Sequence, residues 1–351
     1  MVVSSKDLLR QLSELQAPTG DEAEVASFME KHLEAAGFSV RQDMLGNVIA
    51  QKGCGAKKIM VAAHMDEICM AVTSITKDGF IKFAKIGGIY DGILGGVRVT
   101  LHAKQKILGI IGMKPPHLMK EEEAKRLQDY EALFVDIGAK NKADAEKRGI
   151  RPGIQITFAS KFAELGSEGE LVTGKAFDNR AGCVVLLRLA EMEIPKDVTL
   201  FLVGTVREET GLWGAGTSAF AVQPDLAVAL DVCLGGGTPD VPEDNVPIKL
   251  GAGPTIGVIE AGGRGLIMSR KLVDFIEGVA RKNKIAHQFE VSDRGATDAS
   301  RMQYVRSGLL AASIGIPSRY IHSQNEVIAL SDLDNTAKLL KALIADFPKY
   351  K

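Results

Sequence analysis

Along this chain, short unbroken apolar runs alternate with stretches in which apolar residues recur every three to four positions. The runs at 59–63, 198–203 and 226–230 are too short for helices and are bounded by polar residues or glycine. They read as strands buried on both faces. A further strand is read at 309–315, and 38–41 pairs with 47–51 as a hairpin around Gly46. Helical spacing appears in Leu8, Leu9, Leu12 and Leu15 behind a Ser5 cap, and in Val25, Phe28, Met29 and Leu33 up to Gly37. It returns in Val184, Val185, Leu187, Leu189 and Met192, after Phe177-Asp178-Asn179-Arg180. The Gly- and Ala-rich 211–222, the Ser269-capped 269–283, a helix opened by Asp298 and a C-terminal helix from Ser331 and Asp332 complete the set.

The texture changes between Cys69 and Phe162. Short β-like runs at 80–85, 97–103 and 107–111 are broken by glycine turns, with charged helices expected at 120–131 and 142–148. This reads as a small β-rich domain, residues 69–162, inserted into an α/β domain made of residues 1–68 and 163–351. The fold class expected is α/β, with a mixed, mostly parallel central sheet and helices on both faces.

Composition narrows the function classes. A chain of 351 residues with 25% charged residues and a formal net charge of -1 lacks the basic excess of a nucleic-acid binder. No apolar run approaches the roughly 20 residues of a membrane span, and the N-terminus has no secretory h-region. Cys54, Cys69, Cys183 and Cys233 form no C-x-x-C pair, and three of them lie in apolar surroundings where a reduced thiol is expected, which makes the cytoplasm the simplest compartment.

The candidate chemistry gathers where apolar runs stop. His64 and Asp66, the pair Glu208 and Glu209, and Asp231 stand at or just after predicted strand ends; Asp178 opens a helix; His322 follows the 309–315 strand. Parallel strands place their carboxyl ends on one side of a sheet, so residues remote in sequence can converge there. Taken singly, Asp178 is as well explained as a helix cap, Asp231 or Glu208-Glu209 as a turn, Asp66 as a surface acid, His64 as a plain strand-end residue and His322 as a solvated loop residue. Taken together, several carboxylates buried without compensation would cost several kcal/mol per ion. Imidazole with carboxylate suits Zn, Co or Mn rather than Ca, and five ligands plus a spare acid suggest two ions sharing one carboxylate. His102, His117 and His287 lack this setting and are expected to be structural or exposed.

The chain resembles the M42 family of metallo-aminopeptidases, the group that includes the tetrahedral TET particles. The residues carrying the resemblance are Ala17-Pro18-Thr19-Gly20, Ala63-His64-Met65-Asp66-Glu67, Phe177-Asp178-Asn179-Arg180, Val206-Arg207-Glu208-Glu209-Thr210-Gly211, Leu230-Asp231-Val232, Ala296-Thr297-Asp298-Ala299 and Ile321-His322-Ser323. Lys114-Pro115-Pro116-His117 and Val135-Asp136-Ile137-Gly138-Ala139 in the insert fit as well. The resemblance implies a zinc-peptidase type of α/β domain and a PDZ-like insert used in dimerisation. It implies two divalent metal ions per subunit, Zn, Co or Mn, that activate a water to remove N-terminal residues from peptides. Asp178 would bridge the ions, His64 and Asp231 would complete one site, and Glu209 and His322 the other. Glu208 would be the general base, and Asp66 would fix the tautomer of His64. Dimers assembling into a dodecamer would follow. Rival readings are a carboxypeptidase or deacylase on the same scaffold, or an inactive peptide-binding assembly protein. A metal-free glycosidase using Glu208 and Glu209 is disfavoured, because neighbouring strand residues point to opposite faces.

Overall fold

The computed structural model describes residues 3–167, 169–239 and 241–351. Two helices, α1 (Ser5–Glu14) and α2 (Ala23–Ala35), lead into β1 (Ser39–Gln42), β2 (Val48–Gly53) and β3 (Lys57–His64). The chain then builds a separate closed barrel from β4 (Cys69–Ile75), β5 (Ile81–Ile86), β6 (Arg98–His102), β7 (Lys106–Gly112), β8 (Phe134–Asp136) and β9 (Gln155–Phe158). Short helices α3 (Glu121–Ala124) and α4 (Lys142–Lys147) lie within it. The barrel strands follow the order β4-β5-β8-β7-β6-β9 and enclose their own core of Met70, Ile81, Val99, Leu101, Val135 and Ile156.

The chain returns through β10 (Ala163–Leu165) and β11 (Leu171–Gly174) to α5 (Phe177–Ala190), β12 (Val198–Thr205), α6 (Trp213–Val222) and β13 (Leu226–Leu234). It ends with β14 (Thr255–Ile259), α7 (Arg270–Lys282), β15 (Gln288–Val291), α8 (Asp298–Met302), β16 (Ala311–Arg319), β17 (Glu326–Ala329) and α9 (Leu330–Asp346). These strands form one mixed sheet in the order β1-β2-β12-β3-β13-β16-β17-β11-β10, with β14 joined to β16 and β15 joined to β14. The four central strands, β12, β3, β13 and β16, run parallel and are almost wholly buried. That is why they read as unbroken apolar runs.

Helix α5 packs with α1 and α9 and also against β3 and β13, whereas α6 and α8 pack with each other against the same central strands. The two groups therefore cover opposite faces. The approach of α5 to β3 requires glycine at 182, where a Cβ would lie 2.3 Å from Asn179 Oδ1 and 2.8 Å from Ala63 Cβ.

Several expectations need correction. Ser4, not Ser5, caps α1, accepting the Asp7 N–H. The helix expected at 120–131 shrinks to Glu121–Ala124, and Leu127 stays exposed. With no apolar stripe to bury, tertiary packing gives that segment no reason to continue the helix. Asp231 sits inside β13 rather than after it. α8 does open at Asp298 as expected, and Thr297 before it supplies the cap through the Ala299 N–H. The strand read at 309–315 is β16, Ala311–Arg319, and runs through Pro317. Proline is tolerated there because β14 pairs with β16 only up to Gly315 and β17 only from Ser318, so on that side no ladder bond is asked of residue 317.

Candidate metal centre

The carboxyl ends of the parallel strands make the site. His64 closes β3 and stands in register with Thr205, which closes β12. β13 pairs with β3 only as far as Ala229 against Ala62, so Asp231 lies where these two strands part. Glu208 and Glu209 come after β12 in a single 3-10 turn, not in a strand, and both line the same cavity. The alternation argument used against a paired-carboxylate glycosidase therefore does not apply to them. Asp178 enters from the start of α5, through a cis Asp178–Asn179 peptide bond. Non-glycine residues flanking or forming the site hold the left-handed conformation: Ala176 (φ 57°), Arg207 (φ 56°), Leu212 (φ 60°), Tyr320 (φ 60°) and His322 (φ 61°). Side chains rarely adopt it, and such strain concentrates where position matters more than stability.

The residues named from sequence converge. Asp178 Oδ1 lies 2.9 Å from His64 Nε2, while Asp178 Oδ2 lies 3.3 Å from His322 Nε2. Each oxygen of one carboxylate thus serves a different imidazole. On the first side, Asp231 Oδ1 lies 3.7 Å and Glu208 Oε2 3.9 Å from His64 Nε2. On the second, Glu209 Oε2 lies 3.3 Å from His322 Nε2. Two threesomes, His64 with Asp178 and Glu209, and His64 with Glu208 and Asp231, bring their ligand atoms within 4.8 Å of one another.

Both imidazoles are oriented from behind. His64 Nδ1 faces the Asp66 carbonyl at 3.2 Å and Asp66 Oδ1 at 3.4 Å. His322 Nδ1 faces the carbonyl of Gly88, a loop residue of the barrel, at 3.1 Å. A backbone carbonyl can only accept, so each Nδ1 that meets one carries the proton, and a cation among the carboxylates would take the Nε2 lone pair of the neutral ring.

The electrostatics are those of too many acids. Burial pushes Glu208 well above the usual carboxylate range, and the charges of Asp231 and Glu209 add to it. Burial likewise moves Glu209 up to about 8, with Asp178 adding, and Asp231 up to about 7. Burial opposes protonation of His322, yet the hydrogen bond to Asp178 and the charge of Glu209 raise it to about 10. Two imidazoles thus stand against Asp178, Glu208, Glu209 and Asp231, and Glu209 Oε1 is buried with no hydrogen-bond partner. Divalent cations suit this donor set: they neutralise the carboxylates, accept imidazole nitrogen and fill the orphaned oxygen.

Sequence reading missed three supporting residues. Glu326 is buried and accepts the backbone N–H of Asp178 (2.8 Å) and of His322 (3.0 Å), tying the two halves of the site together. Its spacing four residues after His322 was the one available signal. Thr19 donates to Asp66 Oδ2 at 2.9 Å. Asp66 also receives the Glu208 N–H at 3.0 Å, so it orients the turn of Glu208 as well as the ring of His64. Asp298, quoted only as part of a motif, is buried behind the site and accepts from the Thr205 hydroxyl at 2.6 Å. His102 hydrogen-bonds Thr157, His287 meets the Ile285 carbonyl and His117 is exposed, all away from this cluster.

The cluster opens on a cavity of about 570 Å³, also lined by Cys233, Glu260, Glu290, Arg294 and Thr297. Among the described residues no helix is long and apolar enough to cross a membrane.

A family model described as M42 glutamyl aminopeptidase matches residues 46–339. A lysyl aminopeptidase of Pyrococcus furiosus is 36% identical over 312 residues, covering 88% of this chain and 87% of its own. An aminopeptidase from the archaeon Desulfurococcus kamchatkensis superposes with a TM-score of 0.93 at 39% identity, covering 97% and 94%. A Pyrococcus horikoshii TET1 peptidase, described as able to assemble into a tetrahedron or a large octahedral shell, gives 0.85 at 31% identity, covering 97% and 99%.

Proposed function

This chain belongs to the M42 glutamyl aminopeptidase family and is a metal-dependent aminopeptidase, and we propose that His64, Asp178, Glu209, Asp231 and His322 hold two divalent cations beside Glu208, the general base. The observation that carries this reading is the division of Asp178, one oxygen facing His64, the imidazole next to Asp231, and the other facing His322, the imidazole next to Glu209. Zn, Co and Mn all suit the donor set.

Bound there, such cations polarise a peptide carbonyl and make a water acidic enough to ionise near neutral pH. The protein's own residues do the rest. Glu208 takes a proton from the attacking water and passes it to the departing amine. Asp66 holds the Glu208 backbone and the His64 ring in one hydrogen-bonded unit with Thr19. Glu326 fixes Asp178 relative to His322, so that two strand ends and one helix start keep a common spacing.

The test is a set of paired substrates. Metal-reconstituted protein should take up about two transition-metal ions per chain and hydrolyse leucyl-p-nitroanilide. It should leave the N-acetylated form intact and lose turnover to a chelator. Hydrolysis of the acetylated form instead would point to a deacylase or carboxypeptidase-like activity, and turnover surviving the chelator would remove the metals.

We further infer that residues 69–162 are a PDZ-like dimerisation unit and that residues 1–68 and 163–351 are the catalytic domain. The barrel carries exposed Leu108 and Ile110 on β7, with Met113 and Leu118 beyond it, an apolar surface suited to a second copy of the chain. Light scattering on the purified protein should then give the mass of a dimer or of a dodecamer built from dimers; a monomer would exclude this. Four free thiols, three of them buried, fit the reducing cytoplasm.

A further inference from the structure

The cavity beside the metal centre extends well past the reacting groups, and what lies along it bears on which N-terminal residue is removed. We propose that Glu290 makes this cavity select peptides beginning with a basic residue, its carboxylate taking the ammonium of lysine or the guanidinium of arginine. The inference rests on the aminopeptidase reading of the centre.

The placement follows from strand geometry. Asp231 and Cys233 sit two apart on β13, so their side chains share a face about 6.6 Å apart. Thr255 Oγ1 lies 3.5 Å from Cys233 Sγ and 3.0 Å from Glu290 Oε2. Gly315 leaves room for this contact, since a Cβ there would stand 2.3 Å from Thr255 Oγ1. The cavity thus runs from Asp231 past Cys233 to Glu290, and its lining includes the apolar Leu212 and Ile321. Such a passage suits a four-carbon stem with a charged tip.

Glu290 is otherwise poorly compensated. Thr255 gives it one hydrogen bond, and no cation among the described residues pairs with it. Burial pushes its carboxyl up to about 7, the Thr255 hydroxyl opposing and the charge of Glu260 adding. Glu260 is itself committed, its two oxygens accepting the hydroxyl and N–H of Thr297. Of the remaining charged residues along the cavity, the metal-centre acids are used at the centre and Arg294 is exposed. An exposed charge is screened by solvent far more than one inside the protein. A basic tip reaching this wall therefore meets net negative charge, with Glu290 the carboxylate there that is short of partners.

The experiment compares lysyl-, arginyl-, leucyl- and glutamyl-p-nitroanilide on the metal-reconstituted wild type and on Glu290→Gln. Glutamine keeps the shape and the acceptor for Thr255. Wild type is expected to favour the lysyl and arginyl substrates in kcat/KM by at least about tenfold over leucyl, mostly through KM, as a buried charge-assisted contact commands. Glu290→Gln should erase that advantage and leave leucyl turnover within a few-fold, which also reports that the variant is folded. A wild-type preference for leucyl or glutamyl substrate, or an equal loss on all four in Glu290→Gln, overturns the inference while the aminopeptidase reading stands. Turnover of none of the four would bring down both.

Discussion

Replacing Glu208 by glutamine is expected to leave metal uptake unchanged and to lower kcat by at least about a hundredfold, the scale of a well-positioned acid–base group. The substitution keeps the size of the side chain and the backbone N–H that Asp66 receives, so the turn carrying Glu209 should hold its place. What is lost is the ability to accept a proton. Before any cation binds, burial and the neighbouring acids raise the proton affinity of Glu208 above that of a free carboxylate. Measuring metal content beside kcat separates two roles the geometry leaves adjacent, because Glu208 Oε2 is close enough to His64 and Asp231 to join a ligand set. Loss of metal with activity would make Glu208 a ligand, and near-native turnover would remove it from the chemistry.

The second large effect is on stability. Glu67 is buried between two cations: it accepts both Lys175 contacts at 2.7 Å and an Arg180 contact at 3.3 Å, and it also receives the Ala17 N–H. Burial works against the charged form of Glu67, but Lys175 and Arg180 outweigh it and lower its pKa, whereas burial wins at Lys175 and lowers that pKa too. The two shifts disagree about the pair's benefit because one anion faces two cations. Glu67→Gln strands both cations in the interior and is expected to cost about 3–5 kcal/mol, the range for breaking a buried ion pair. Lys175→Met should cost less, because Arg180 still faces Glu67. Thermal unfolding of both variants checks the order, and the reverse order would mean that Lys175 carries the network. The pH dependence has a definite sign. A carboxylate whose folded pKa is depressed contributes stability above its unfolded pKa and loses it as pH falls through the folded one. The wild-type melting temperature should therefore fall on acidification below the ordinary carboxylate range, and Glu67→Gln should lack that part of the fall.

Much of this could be read from the letters, for identifiable reasons. The central strands were legible because burial on both faces leaves them no polar positions, as in 59–63 and 198–203. His64 and Asp231 were legible because they interrupt or close such runs. The short strands β14, β15 and β17 were not, since four or five residues acquire strand character only from partners far away in sequence. Glu326 and Asp298 look like ordinary helix-flanking acids until the fold buries them. The left-handed conformations at Ala176, Arg207 and His322 and the cis bond at Asp178 are imposed by tertiary context and carry no composition signal.

Gly88 gives the barrel a say in events it does not perform. Its carbonyl holds the outer nitrogen of His322, and a Cβ at that position would stand 2.8 Å from that same nitrogen. Excising the insert and splicing its ends would hence not yield a miniature enzyme: one imidazole would lose the brace that sets its tilt. The orientation of one imidazole at the centre thus rests on a single backbone carbonyl supplied by the barrel.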